Sequence, residues 1–192
     1  VRTQKNHLND EYDFVFQDSS NYLYQYSNNG NLNWKRELSG KIIGDIEQID
    51  IYKNGRLQLL FRTNERLYLL DRNGNEVEEL SLDLDGGINI NPLSVFDYEK
   101  NRNYRIVVTS DNQIRMYDST GKIVSGFKPV EFSSNIINNP VHIRIDGKDY
   151  LVFQLENGEV KILNRRGEDR IIIDEKVQYS KNNFYSYLDF FT

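Results

Sequence analysis

The chain has 192 residues, 38% of them hydrophobic, with 13 Tyr, 10 Phe and one Met; aromatic side chains suit a pleated, half-buried surface, so a single all-β domain is expected. The net charge is −5 and the Lys and Arg residues are scattered, which leaves no basic stripe for phosphate neutralisation and sets nucleic acid aside as a partner. The absence of Cys excludes disulfides, thiol nucleophiles and sulfur-ligated metals, and no apolar run approaches the roughly 20 residues that span a bilayer.

Taken in chain order, residues 1–6 form the first extended segment, and a start at Val1 fits a processed or excised chain. Four Gly turns then follow at Ser27-Asn28-Asn29-Gly30, Asp71-Arg72-Asn73-Gly74, Asp118-Ser119-Thr120-Gly121 and Asn164-Arg165-Arg166-Gly167, with glycines 44, 47 and 46 residues apart. A fixed period of this length marks a repeat architecture. Counting back from each glycine without gaps, Leu23, Leu67, Ile114 and Val160 share one apolar column, and Tyr26, Leu70, Tyr117 and Leu163 share another. Ser27, Asp71, Asp118 and Asn164 open the Gly turns, and Ser20, Asn64, Asp111 and Asn157 open the turns before them; side chains of these types bond to nearby backbone. Further upstream, Val15, Leu59, Ile106 and Val152 align, as do Phe16, Leu60, Val107 and Phe153. Two consecutive apolar positions mark a strand covered on both faces.

Each copy therefore holds four strands, A to D. Strand A of the later copies reads over residues 46–53 before Asn54-Gly55, residues 92–98 before a turn at 99–103, and residues 141–145 before Asp146-Gly147. Asn-Gly and Asp-Gly predict type I′ hairpins. Pro92 and Pro140 open strand A in copies three and four, where a missing donor is tolerated. Copies fall approximately at residues 1–38, 46–82, 92–127 and 140–173, joined by linkers over 39–45, 83–91, 128–139 and 174–183. Residues 184–191 read as one extra strand, with Phe184, Tyr185, Tyr187, Phe190 and Phe191 as strand material. One twisted four-stranded sheet cannot bury both its faces, so the prediction is a β-propeller of about four blades, small or partial.

The segment from Tyr22 through Gly30 to Trp34 resembles the blade motif of quinoprotein-dehydrogenase-like propellers, the PQQ-like repeats. In that motif a short apolar strand meets a Gly turn, and a tryptophan four residues after the glycine docks on the neighbouring blade. Copies two to four carry Glu78, Ser125 and Ile171 at that place, so the resemblance is to the superfamily and not to its enzymes. The stretch from Val95-Phe96-Asp97-Tyr98 to Tyr104-Arg105 resembles a recurring segment in large uncharacterised envelope proteins of Bacteroides-type bacteria. That second resemblance implies an extracytoplasmic location and a piece of a longer protein.

The enzymes of the superfamily hold a quinone over the axis with calcium, stacked tryptophan and a catalytic aspartate; one Trp and no Cys speak against that chemistry here. His7 and His142 fall just after or within an A strand and read as ordinary strand or turn histidines, since two ligands do not make a zinc site. Asp83-Leu84-Asp85-Gly86-Gly87 lacks the later acidic ligand of a calcium loop and reads as a solvated linker. No nucleophile elbow, zinc-helix or phosphate-loop motif occurs. No catalytic, cofactor-binding or metal-binding residue is therefore assigned, and no cofactor is expected.

The expectation is a non-catalytic binding or scaffold module for a protein or other macromolecule, using the face that carries the D-to-A linkers and B–C turns, because insertions concentrate there. The alternative is an enzyme or sensor with a quinone or small ligand on the central axis. Four blades that close on themselves, a homodimer forming an eight-bladed ring and half of a larger propeller are all open at this point.

Overall fold

The computed structural model describes residues 2–88, 90–128 and 130–178; the extra strand expected at 184–191 lies outside them. The described residues contain strands and turns and no helix, hence none long and apolar enough to cross a membrane. Four antiparallel sheets follow one another along the chain. Blade 1 is β1 (Arg2–Lys5), β2 (Tyr12–Gln17), β3 (Tyr22–Tyr26) and β4 (Leu32–Glu37). Blade 2 is β5 (Glu47–Ile49), β6 (Gln58–Arg62), β7 (Arg66–Leu70) and β8 (Leu82–Asp83). Blade 3 is β9 (Ser94–Phe96), β10 (Arg105–Ser110), β11 (Gln113–Asp118) and β12 (Val130–Glu131). Blade 4 is β13 (Val141–Ile145), β14 (Lys148–Gln154), β15 (Val160–Leu163) and β16 (Asp169–Ile171). Every neighbour in a sheet is also a neighbour in sequence, so each blade is a pure meander built from local hairpins.

Turn chemistry explains why the hairpins close where they do. At the C–D turns Asp71 Oδ1 accepts from the amides of Asn73 and Asn75, Asp118 Oδ1 from those of Thr120 and Lys122, and Asn164 Oδ1 from those of Arg166 and Glu168. The following glycines sit at φ of 84°, 78°, 72° and 77° in the four copies. Asp146 (φ 49°) and Gly147 (φ 72°) form the expected two-residue hairpin. Asn54-Gly55 does not: its turn runs from 50 to 57, because Asp50 accepts from the amides of Asn54 and Gly55 at 3.1 and 2.8 Å and closes a wider loop. The fourth strands β8 and β12 also lie later than the spacing suggests. In both blades the chain first bridges back to strand C, at Leu70–Glu76 and Tyr117–Ile123, then makes a turn before the D strand pairs.

Three apolar clusters hold the blades together. Val15 and Leu23 of blade 1 pack on Leu59, Phe61, Tyr68 and Leu70 of blade 2. Leu60, Leu67 and Leu69 of blade 2 pack on Ile106, Val108 and Tyr117 of blade 3. Val107, Ile114 and Met116 of blade 3 pack on Leu151, Phe153, Leu155 and Leu163 of blade 4. Most of these side chains are fully buried, and each contributes about 1.5–3 kcal/mol by leaving water.

The register corrects one sequence column. Leu59 pairs with Leu70 and Ile106 with Tyr117, but the equivalent partners of Tyr26 and Leu163 are Phe14 and Leu151, not Val15 and Val152. The B–C turns of blades 1 and 4 are one residue longer, with Gln17 opposite Leu23 and Gln154 opposite Val160. One added residue moves the upstream strand to the other face. A gap-free count cannot see it.

Candidate functional site

The linkers and B–C turns share one face because each of the three D-to-A linkers between the described blades is stapled across two blades. Leu38 N donates to Asn21 O of blade 1, and Ile43 N to Arg62 O of blade 2, at 3.0 and 2.9 Å. Leu84 N donates to Glu65 O at 2.7 Å, and Ile90 bridges to Ser110 of blade 3. Ile136 N reaches Asp111 O, and Ile137 N reaches Gln154 O of blade 4. Beneath the second linker Arg62 is completely buried and donates to the carbonyls of Thr63, Asn91 and Thr109 at 3.1, 3.3 and 2.9 Å. Burial pushes its guanidinium down to about 10.

Between these staples the linker tips are free to face solvent. Ile88 is 93% exposed and Ile137 40% exposed. A cleft of about 550 Å³ beside Ile88 is lined by Lys41, Ile43, Asn64, Glu65, Ile88 and Ile90. A cleft with two isoleucines in its mixed polar wall and a third, fully exposed, at its lip can take an apolar side chain of a partner.

The opposite face, built from A–B and C–D turns, is polar. A cleft of about 450 Å³ between blades 1 and 2 is lined by Asn6, Asn29, Trp34, Arg72 and other polar groups. At its base Gln25 Nε2 donates to Gln4 Oε1 at 2.7 Å, and Asn6 Nδ2 to Asp13 Oδ2 at 3.3 Å. Burial raises the Asp13 carboxyl above its ordinary value, and the Asn6 hydrogen bond offsets this only in part. Trp34 lies on Gly74 of blade 2 and donates its indole N–H to Arg72 O at 2.9 Å, the docking that the PQQ-like motif implies for the first copy.

Between blades 3 and 4 on that same face lies a buried charge cluster that sequence reasoning missed. Asp149 has a side chain 5% exposed and meets His142 Nε2 at 2.8 Å, Arg144 Nη1 at 3.4 Å and the Arg165 guanidinium. Burial alone would raise this carboxyl; hydrogen bonds from His142 and Arg165, with the charges of Arg165 and Arg144, outweigh it and hold the group below the ordinary value. Only His142 drew attention in the sequence, and its ring sits 4.8 Å from Tyr98 and 5.4 Å from Phe96. His7 is remote from this cluster in the fold, accepting from Leu57 N at 3.3 Å in blade 2. Asp83 and Asp85 do not converge: each is engaged by an arginine of a neighbouring strand, Arg66 and Arg115. Among the described residues no group of three or more His, Asp or Glu is placed to hold a metal.

Arg165 stacks over the Tyr98 ring at 4.3 Å, while the buried Tyr98 hydroxyl has no hydrogen-bond partner among the described residues. Burial raises that phenol above its ordinary value. Tyr98→Phe is expected to stabilise the chain by about 1 kcal/mol, because it removes an unsatisfied buried donor and keeps the ring. The raised phenol also predicts that wild-type stability falls above about pH 10, where only the unfolded chain releases this proton, and that the variant loses less there. Urea melts at neutral and alkaline pH check both parts; a destabilised variant at neutral pH means the hydroxyl has a partner.

No protein-family model matches the chain, and no curated protein sequence does. Solved structures match in fold. BBS1N in its crystal structure with ARL6DN superposes over 92% of this chain and 57% of its own, with TM-score 0.63 and 14% identity. The complex of the fission yeast SREBP and SCAP binding domains superposes over 95% of this chain and 49% of the matched chain, with TM-score 0.53 and 16% identity. Both are β-propellers, and the fold of this chain is that of a β-propeller with four four-stranded blades. The chain spans about half the length of the solved structures it matches.

Proposed function

We propose that the chain is a non-catalytic propeller module that binds a protein partner through the linker face. The observation that carries this reading is Ile88, an isoleucine 93% exposed at the lip of a cleft that two further isoleucines line. Exposed apolar groups of this size on a rigid scaffold are anchors, since loops held by a packed sheet lose little entropy on binding. Two propellers of the same fold were solved with protein partners, BBS1N with ARL6DN and SCAP with SREBP; this is support by analogy of fold. The docked Trp34 supports kinship with PQQ-like repeats, and the likeness of residues 95–105 to envelope proteins supports an extracytoplasmic setting.

Immobilised chain is expected to retain a stoichiometric protein partner from envelope extract of its source cells. Ile88→Glu with Ile137→Glu should weaken that retention by about tenfold or more, the size of a lost interface anchor. Leu8→Glu, in the opposite face and 63% exposed, should leave it unchanged. Retention that survives the linker-face variant and fails with Leu8→Glu overturns the proposal.

A further inference from the structure

The three interfaces within the chain follow one rule, and the two ends of the blade series leave that rule incomplete. Each blade presents a rear face to its predecessor. In blade 2 this face is Leu59, Phe61, Tyr68 and Leu70, all buried under blade 1, with Phe61 and Tyr68 stacked at 5.2 Å. The cross-strand register identifies the same four positions in blade 1 as Phe14, Phe16, Tyr24 and Tyr26. There Phe16 and Tyr24 stack at 5.6 Å, the same pair in the same place, yet Phe14 is 40% exposed and the other three are only half-buried.

The C–D turns repeat the pattern. A Cβ on Gly74 would lie 2.7 Å from Trp34 of blade 1, on Gly121 2.2 Å from the carbonyl of Glu79 in blade 2, and on Gly167 2.9 Å from the carbonyl of Lys128 in blade 3. Each turn is thus covered by the preceding blade. Gly30, the same position in blade 1, has nothing within 4 Å. At the other end, Ile171 is 45% exposed and pairs with Ile162 as Trp34 pairs with Gln25, so it holds in blade 4 the position from which Trp34 covers Gly74. Behind it the front face of blade 4 offers Ile143, Tyr150 and Ile162, each half-buried.

We propose that a second copy of this chain occupies these ends, the front face of blade 4 in each copy covering the rear face of blade 1 in the other, with Ile171 over Gly30. The occupant follows from continuity: the interface it completes is the one already made three times within the chain. One copy carries both halves of it, so two copies close a two-fold ring. This surface is distinct from the linker face.

Light scattering on the purified 192-residue chain is expected to give twice its 22.7 kDa mass. Phe14→Glu and Ile171→Lys alter exposed side chains, and each should yield a monomer with unchanged circular dichroism. Because the chain has no Cys, Asn29→Cys with Ile171→Cys should form a covalent dimer on oxidation. A monomer at the highest soluble concentration overturns the proposal. So does a ladder of larger species, which means an open array, or a dimer that both charge variants leave intact, which means association through another surface.

Discussion

Alanine at Gly121 will cost the chain about 3 kcal/mol, and alanine at Gly30, in the same place of another copy, about 1 kcal/mol. Both glycines hold left-handed backbone, at φ of 72° and 84°, and an L side chain there costs about 1–2 kcal/mol in either case. What separates them is the neighbouring blade. At Gly121 the new methyl would fall 2.2 Å from the Glu79 carbonyl oxygen and 3.2 Å from Leu82 Cδ2. The first of these is backbone in the C–D segment of blade 2, so relief requires the blades to part, and overpacking adds about 1–3 kcal/mol. At Gly30 nothing lies within 4 Å and the conformational cost stands alone. Urea melts of both variants, at dilutions where the chain is monomeric, give the comparison. Equal losses would show that blades 2 and 3 do not meet through this turn. A loss of this size at Gly121 is a large part of the 5–15 kcal/mol typical of a whole domain.

Asp149→Ala should destabilise by about 3 kcal/mol at neutral pH, the lower end of the range for removing one partner from a buried ion pair. The lower end applies because Arg144 and Arg165, 39% and 37% exposed, can turn toward water once the carboxylate is gone. Glu99 remains beside Arg165 at 2.6 Å and retains part of the cluster. The carboxyl is held below its ordinary value in the folded chain, so its contribution is complete above the unfolded value near 3.9 and is lost as pH falls through the lower folded value. Wild type and variant should therefore converge in acid and differ at neutral pH. A difference that persists undiminished at the acid limit would mean that Asp149 acts through packing and not through its charge.

How much of this was legible beforehand differs from residue to residue. The turn-opening residues Asp71, Asp118 and Asn164 were readable because their hydrogen bonds reach only two and four residues along the chain. Trp34 was expected to dock on the neighbouring blade, and it lies on Gly74 of blade 2. The Asp149 cluster was not: it joins His142 and Arg144 to Arg165 and, through Arg144 Nη1 and the Tyr98 carbonyl at 2.8 Å, to the preceding blade. No spacing signal connects residues that far apart. The exposed Ile88 was likewise silent in sequence, since an isoleucine in a linker reads the same whether its side chain is covered or free.

The sequence by itself determined four meandering sheets, because neighbours in each sheet are neighbours in sequence and most of the hairpins close through turn chemistry local to the chain; the D strands of blades 2 and 3, which pair only after a further turn, are the exception. Only the tertiary structure decided which face each strand turns to its neighbour. In blades 1 and 4 that choice depends on one extra residue in the B–C turn, which reverses a strand without altering its composition. From that reversal follows the aromatic rear face of blade 1, with Phe14 and Phe16 where a gap-free count would place Val15 and Gln17. A face becomes visible only when the register that defines it has been set by the partner strand.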